Sequence, residues 1–270
     1  MKKGESKKQS SKLSFSSLVI PISLVVAFLI FNFIMGNSSN FEGNNHDNSP
    51  LPGNFLGIIY KGGMIVPILI TLLLTVITFV IERFIAINKA SGNGSVSEFV
   101  REINHCLAKN DLVAADAACD KQKGSVANVV KSVLAKYKFL EKDQTQTKDQ
   151  KIASLEKEVE EATSLELPSL EQNLTILATI TSLATLIGLL GTVIGMIRAF
   201  AALANAGAPD SIALANGISE ALVNTAFGIG SAAIALIFYN FFTAKIDKLT
   251  YSIDEAGYSI VKSYATNHAS

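Results

Sequence analysis

The chain has 270 residues, 49% of them hydrophobic and 17% charged, with a mean hydropathy of +0.36. That is too apolar for a water-soluble domain of this length, and the apolar residues are clustered rather than spread. Lys and Arg balance Asp and Glu at 23 each, so the net charge gives no footing for a nucleic-acid partner.

Residues 1–14 form a basic tail carrying Lys2, Lys3, Lys7, Lys8 and Lys12. The apolar run over 15–36 is long enough to cross a membrane, which takes about 20 residues for about 30 Å of hydrocarbon. Its basic start also suits a signal peptide, but Asn37 to Asn48 offers no Ala-x-Ala cleavage site, which predicts an uncleaved anchor. Pro21 falls in the first turns, where few backbone bonds are lost. Residues 37–62 are rich in Asn, Ser and Gly and hold only Lys61 as a cation. A second span follows over 63–89, ending in Glu82, Arg83 and Lys89, which predicts that this end emerges into water. A third covers 171–204, with Arg198 as the only charge between Leu174 and Leu203. The fourth covers 212–244, with Glu220 as its only charge. The short connection 205–211 has no Lys or Arg, whereas 90–170 is rich in both signs and the tail 245–270 has Lys245, Lys248 and Lys262. The positive-inside rule therefore predicts cytoplasmic termini, a cytoplasmic 90–170 segment and two outer loops.

The cytoplasmic segment reads as helical after a flexible break at Ser91–Gly94. Phe99, Ile103, Cys106 and Leu107 share one face, and Val126, Val129, Val130, Val133 and Leu134 share another. Glu141 to Lys151 is polar and predicts a loop. Ile152, Leu155, Val159 and Ala162 resume helical spacing, and Pro168 is expected to interrupt or kink that helix before the third span. Cys106 and Cys119 lack metal-ligand spacing and His105 lacks partners. Nothing here points to an enzyme, a metal or a cofactor. The expected fold class is all-α: four membrane spans, the last three extended into a cytoplasmic helical bundle.

Two spans carry more than apolar bulk. Gly188, Gly191, Gly195, Gly217 and Gly228 recur at steps that put small residues on helix faces, letting helices approach closely in lipid. Glu220 shares the fourth-span stripe with Asn224 and Thr225. A carboxylate inside a span costs a few kcal/mol or more and usually faces a cavity, a pathway or a partner. Glu220 reads either as a pathway residue or as the structural partner of Arg198, while Asn224, one turn on, extends a polar track. No Asp, His or Lys lies deep in a span, so a proton path here would need a titratable group from another chain.

SLATLIGLLGTVIGMIRAF (Ser182 to Phe200) and ALANGISEALVNTAFGIG…FYNFF (Ala213 to Phe242) resemble the two signature helices of the MotA/TolQ/ExbB proton-channel family, nearest its ExbB and TolQ branch. The similarity runs from about Gly62 onward and is strongest over Pro168 to Leu249; Glu82-Arg83 also resembles the family. It implies a pentameric ring in the bacterial inner membrane, whose third and fourth spans line a pore. That pore would hold single-span helices of an ExbD/TolR-type partner supplying a transmembrane Asp. Thr192 and Thr225 match the family's pore threonines, and Glu220 matches its pore glutamate. The implied function is to convert proton motive force into work on a TonB-type protein that energises outer-membrane uptake. Two family prolines are absent, at Thr185 and near Ala233-Ile234, which predicts straighter helices. The first span is additional to the three-span pattern and is expected outside the ring, against lipid or a neighbouring subunit.

A flagellar-type or gliding-type stator is the near alternative, and a non-conducting membrane scaffold the plainer one. A solute transporter is disfavoured because no internal repeat or broken helix pair is present. An intramembrane protease would need Ser/His or paired Asp groups that the spans lack.

Overall fold

The computed structural model describes residues 15–46, 48–204 and 210–267. The expected basic tail 1–14, most of the 205–211 connection and the last three residues of the 245–270 tail lie outside them. Among the described residues every regular element is helical, apart from one isolated bridge between Phe41 and Pro50. The helices are α1 (Phe15–Leu29, continued by a π-helical stretch Ile30–Met35), α2 (Phe55–Tyr60), α3 (Val66–Ser91), α4 (Val96–Ala108), α5 (Leu112–Gln122), α6 (Gly124–Lys142), α7 (Lys148–Glu171), α8 (Leu174–Leu203) and α9 (Ser211–Asn267). Four stretches, containing α1, α3, α8 and α9, are long and apolar enough to cross a membrane. The chain is an all-α polytopic membrane protein. Its described residues divide into two compact units, one within 1–79 and 178–236 and the other within 80–177 and 237–270.

In the first unit α1 buries Val19, Ser23, Ala27, Phe31 and Met35, and exposes Ile22, Val25, Leu29 and Phe33. Steps of four drift by about 40° each around a helix of 3.6 residues per turn. Phe31 and Met35 fall in the π-helical stretch, whose wider turn takes up that drift and keeps both side chains on the buried face. Ala27, Phe31 and Met35 form one core with Val66 and Ile70 of α3, flanked by Val223 and Phe227 of α9. One face of the first span is therefore packed on its own chain, where lipid or a neighbouring subunit was expected.

The Asn-rich segment after α1 is folded. The Asn40 side chain donates to the carbonyls of Ile34 (2.8 Å) and Met35 (3.0 Å), satisfying acceptors at the helix end. It also accepts from Asn54 Nδ2 at 3.0 Å. Asn54 in turn caps α2 by accepting from the Gly57 amide at 3.1 Å. Tyr60 stacks on Phe31 with ring centroids 4.7 Å apart.

The second unit packs like a water-soluble bundle. Ser95, Asp111 and Thr147 cap α4, α5 and α7, the last in a reciprocal capping box with Gln150. The predicted faces of α4 and α6 are buried. Against them the end of α9 buries Phe242, Ile246, Leu249, Ile253, Ala256, Ile260 and Tyr264, three or four residues apart. The expected fourth span and tail are one helix, since no proline interrupts 245–267. Gly257 is held by packing: a Cβ there would lie 2.6 Å from a Val159 methyl.

Three local expectations change. The Ser91–Gly94 break is pinned to the end of α5: Asn93 N donates to Gln122 O (2.6 Å) and Gln122 Nε2 to Ser91 O (3.1 Å). Gly92 takes φ +73°, and a Cβ there would meet Lys123 O at 2.2 Å, so glycine is required by contact as well as by conformation. The polar 141–151 stretch is a loop only over 143–147, because α6 runs on to Lys142 and the Thr147 cap starts α7. Pro168 lies inside α7, near its end. The chain turns at Asn173, whose φ is +65°.

Candidate functional site

The contact between α8 and α9 is made by backbone. A Cβ on Gly188 would lie 2.9 Å from Gly228 Cα, and one on Gly195 would lie 2.6 Å from Ala221 N. In the reverse direction, Gly217 would meet Ala199 N at 2.7 Å and Gly228 would meet Ala184 O at 2.7 Å. Gly191 faces the Asn224 side chain, with Cβ at 2.4 Å from a built Cβ. All five predicted packing glycines thus lie on one seam. The large residues of these helices, among them Leu186, Val193, Ile197, Leu222 and Ile229, are exposed on the single chain. In lipid, close approach through small residues replaces burial as the source of cohesion.

Polar groups interrupt this seam. The Thr192 and Thr225 hydroxyls bond each other across it. Each also lies within reach of a carbonyl of its own helix, Thr192 of Gly188 O (3.2 Å) and Thr225 of Ala221 O (3.1 Å); with one proton apiece, one hydroxyl donates across the seam while the other donates to its carbonyl. Hydroxyls both donate and accept, so the pair can relay a proton without storing one. Nearer the start of α9, both Glu220 carboxylate oxygens accept from Arg198 Nη1, at 2.7 and 2.8 Å. The Glu220 side chain is 6% exposed and that of Arg198 is 55% exposed. Asn224 is fully buried and donates from Nδ2 to Gly62 O at 2.9 Å. Its Oδ1 is buried and accepts no hydrogen bond from the described residues. A buried acceptor left bare costs about 1–3 kcal/mol, so an internal water is its natural occupant.

The structure therefore brings together all four polar residues singled out in the sequence, as a hydroxyl pair and a Glu220–Asn224 cluster one turn apart. It adds two that pattern reading passed over. Gly62 and Gly63, just before α3, supply the backbone on which that cluster rests. Gly63 has φ +76°, and a Cβ there would lie 2.4 Å from Glu220 Oε1. The doublet itself was the available signal, because glycine permits both positive φ and close approach.

A second polar knot lies in the other unit. Arg83 was expected at a water-facing helix end but is 1% exposed. Its Nε donates to Glu82 Oε2 at 2.6 Å, and Nη2 pairs with Glu82 Oε1. Its Nη1 reaches the carbonyls of Ser169 (3.4 Å) and Leu170 (3.2 Å), supplying donors at the end of α7 where helix carbonyls lack partners. Nearby in chemistry but not in role, the two cysteines are inert thiols. Burial foremost, then the Asp116 carboxylate, pushes Cys119 up to about 12, and burial with Glu102 raises Cys106.

Comparison with known proteins points the same way. The profile of the MotA/TolQ/ExbB proton channel family matches residues 124–255, which include both threonines, Glu220 and Asn224. The putative biopolymer transport protein ExbB-like 3 of Synechocystis sp. is 41% identical over 86 residues, 31% of this chain and 41% of that protein. The Tol-Pal system protein TolQ of Haemophilus influenzae is 39% identical over 88 residues, 33% of this chain and 39% of that protein. These two matches span about two fifths of each relative's length. The biopolymer transport protein ExbB of Neisseria meningitidis is 26% identical over 214 residues, 76% of this chain and 94% of that protein.

Proposed function

We propose, from the MotA/TolQ/ExbB proton channel family domain that this chain carries, that it is the ring-forming subunit of a proton-driven motor in the bacterial inner membrane. In this reading both termini and the 90–170 segment are cytoplasmic, and five copies surround single-span partners of the ExbD/TolR type. The partner's transmembrane Asp carries the proton, and Thr192, Thr225, Glu220 and Asn224 line its way. The chain makes and breaks no covalent bond; it converts ion flow into helix movement that works on a TonB-type protein. Each proton crossing about 100 mV releases about 2.3 kcal/mol, enough for a few to repack a helix interface. The likeness to both ExbB-named and TolQ-named proteins keeps a Tol-Pal-type output as the second destination of that work.

One observation supports this above a passive scaffold. Packing two spans needs only small residues, yet the seam in the family-matched region also holds a hydroxyl pair, a buried carboxylate and an amide with a bare acceptor. Polar groups in a span are expensive and are retained where they face a path or a partner. A stator of the flagellar or gliding type shares this seam and differs in what its cytoplasmic part engages.

The test is Thr225→Val, which keeps the shape and removes the hydroxyl. In liposomes holding the chain with its single-span partner, the variant is expected to assemble as the wild type does and to lose at least tenfold in proton flux. Native mass spectrometry on the same samples is expected to show a five-copy ring. Unchanged flux, or a chain that stays monomeric and binds no partner, leaves the scaffold as the better account.

A further inference from the structure

Arg198 is engaged by one nitrogen only. Both oxygens of Glu220 bond to Nη1, and no other hydrogen bond or ion pair of Arg198 is present among the described residues. A guanidinium has five N–H donors in a planar fork. With both Nη1 protons directed to Glu220, the Nε–Nη2 edge remains open, and that edge matches a carboxylate through two parallel bonds. The side chain is 55% exposed although it lies inside a span. A cation turned to hydrocarbon is too costly to keep, so the open edge faces another chain or water.

Within the third and fourth spans this chain has no second carboxylate to offer. Between Leu174 and Leu203 and between Ile212 and Ala244 the only charges are Arg198 and Glu220. In a neighbouring copy Glu220 is already held through both oxygens and is 6% exposed. Asp210, just before α9, caps that helix by accepting from the amides of Ile212 (3.1 Å) and Ala213 (3.0 Å). Glu220 also holds the guanidinium about 13 Å into α9 from Ser211, at 1.5 Å per residue. That draws it away from the headgroup layer toward which arginines otherwise extend.

We infer that the open edge of Arg198 receives a carboxylate from the membrane-spanning helix of the partner chain, bridging it to Glu220. The inference rests on the motor reading above and adds a contact that reading does not contain. Arg198 is then a positioning residue: it fixes where the partner's acid stands and trades that acid against Glu220 as the partner helix moves. A neutral, protonated partner acid lets go of Arg198, whereas the ionised one is held.

Four forms of the full-length chain, co-expressed with the single-span partner, test this. They are the wild type, Arg198→Lys, Arg198→Gln, and Arg198→Gln with Glu220→Gln, which leaves no bare buried carboxylate. Ring assembly and partner occupancy are read by native mass spectrometry, co-purifying phospholipid is quantified, and each form is repeated with the partner's transmembrane Asp changed to Asn. The expected result is an intact ring in the double variant with partner affinity about tenfold weaker or more. Arg198→Lys is expected to fall between, and the partner's Asp→Asn change to add little once Arg198 is gone. Additive losses, or unchanged partner occupancy in an intact double-variant ring, overturn the inference while leaving the motor reading standing. Loss of bound phospholipid with partner affinity unchanged assigns the edge to a lipid phosphate and also overturns it. A wild-type ring that takes up no partner overturns both readings.

Discussion

The α8–α9 seam and the α4–α7 bundle are built on opposite rules. In the bundle the buried residues are large, such as Phe99, Leu134, Tyr137 and Leu140, and exposed positions are mostly charged. In the seam the buried residues are Gly and Ala with a few polar groups, and the large aliphatics point outward. One chain, and in α9 one continuous helix, follows both. The difference is the solvent: water rewards burial of apolar area, whereas lipid is as apolar as leucine and rewards only closeness and satisfied polar groups.

Substitution by bulk should break the comparison most sharply. In Gly195→Val the new side chain meets backbone atoms of Gly217 and Ala221, which cannot rotate away. Overpacking of this kind is expected to cost about 3 kcal/mol or more. Gly230 lies in the same helix pair with nothing within 4 Å of its added Cβ, so Gly230→Ala is expected to change stability by less than about 1 kcal/mol. Thermal midpoints of the two purified variants measure this, and equal losses would mean that the seam is not a backbone contact.

Charge should be the next largest effect, and it tests the other region. Arg83→Met leaves the Asn173 amide as the remaining donor to the Glu82 carboxylate and takes the donor from two helix-end carbonyls. Removing one member of a fully buried pair costs about 3–5 kcal/mol, but the Glu82 side chain is 24% exposed and keeps Asn173, so a loss of about 2 kcal/mol is expected. Adding Glu82→Gln is expected to recover part of the loss. If Arg83→Met melts with the wild type, the α7 end is held by something other than that guanidinium.

How far these features were legible in the sequence follows from their range. The spans, the α4 and α6 faces and the glycine stripe are local periodicities, readable because one helix suffices to define them. Thr192, Thr225, Glu220 and Asn224 were legible as polar exceptions in apolar runs. What Arg83 does was not, because its carbonyl partners lie 86 and 87 residues away in sequence. The same holds for Gly62, whose partner Asn224 is 162 residues distant. Local punctuation misled where tertiary contacts override it: Gly92 and Asn93 are fixed by α5, and the α7 end that Pro168 weakens is completed by Arg83.

The smallest expected effect concerns Cys119, and it asks whether the bundle is as dry as its packing suggests. Folding raises this thiol from about 9 to about 12, with burial as the main cause. A thiol so raised keeps its proton in the folded chain where the unfolded chain would lose it. The contribution to stability is therefore fully present below about pH 9 and is lost as pH rises from there through about 12. Near neutrality nothing changes in stability, but reactivity does, because only the thiolate attacks an alkylating agent. At pH 8.5 the native chain is expected to react with iodoacetamide at Cys119 on the order of a hundredfold more slowly than the denatured chain. Equal rates would mean that the bundle opens readily around α5, and its large buried side chains would then be a looser assembly than the glycine seam, reversing the contrast drawn between the two regions.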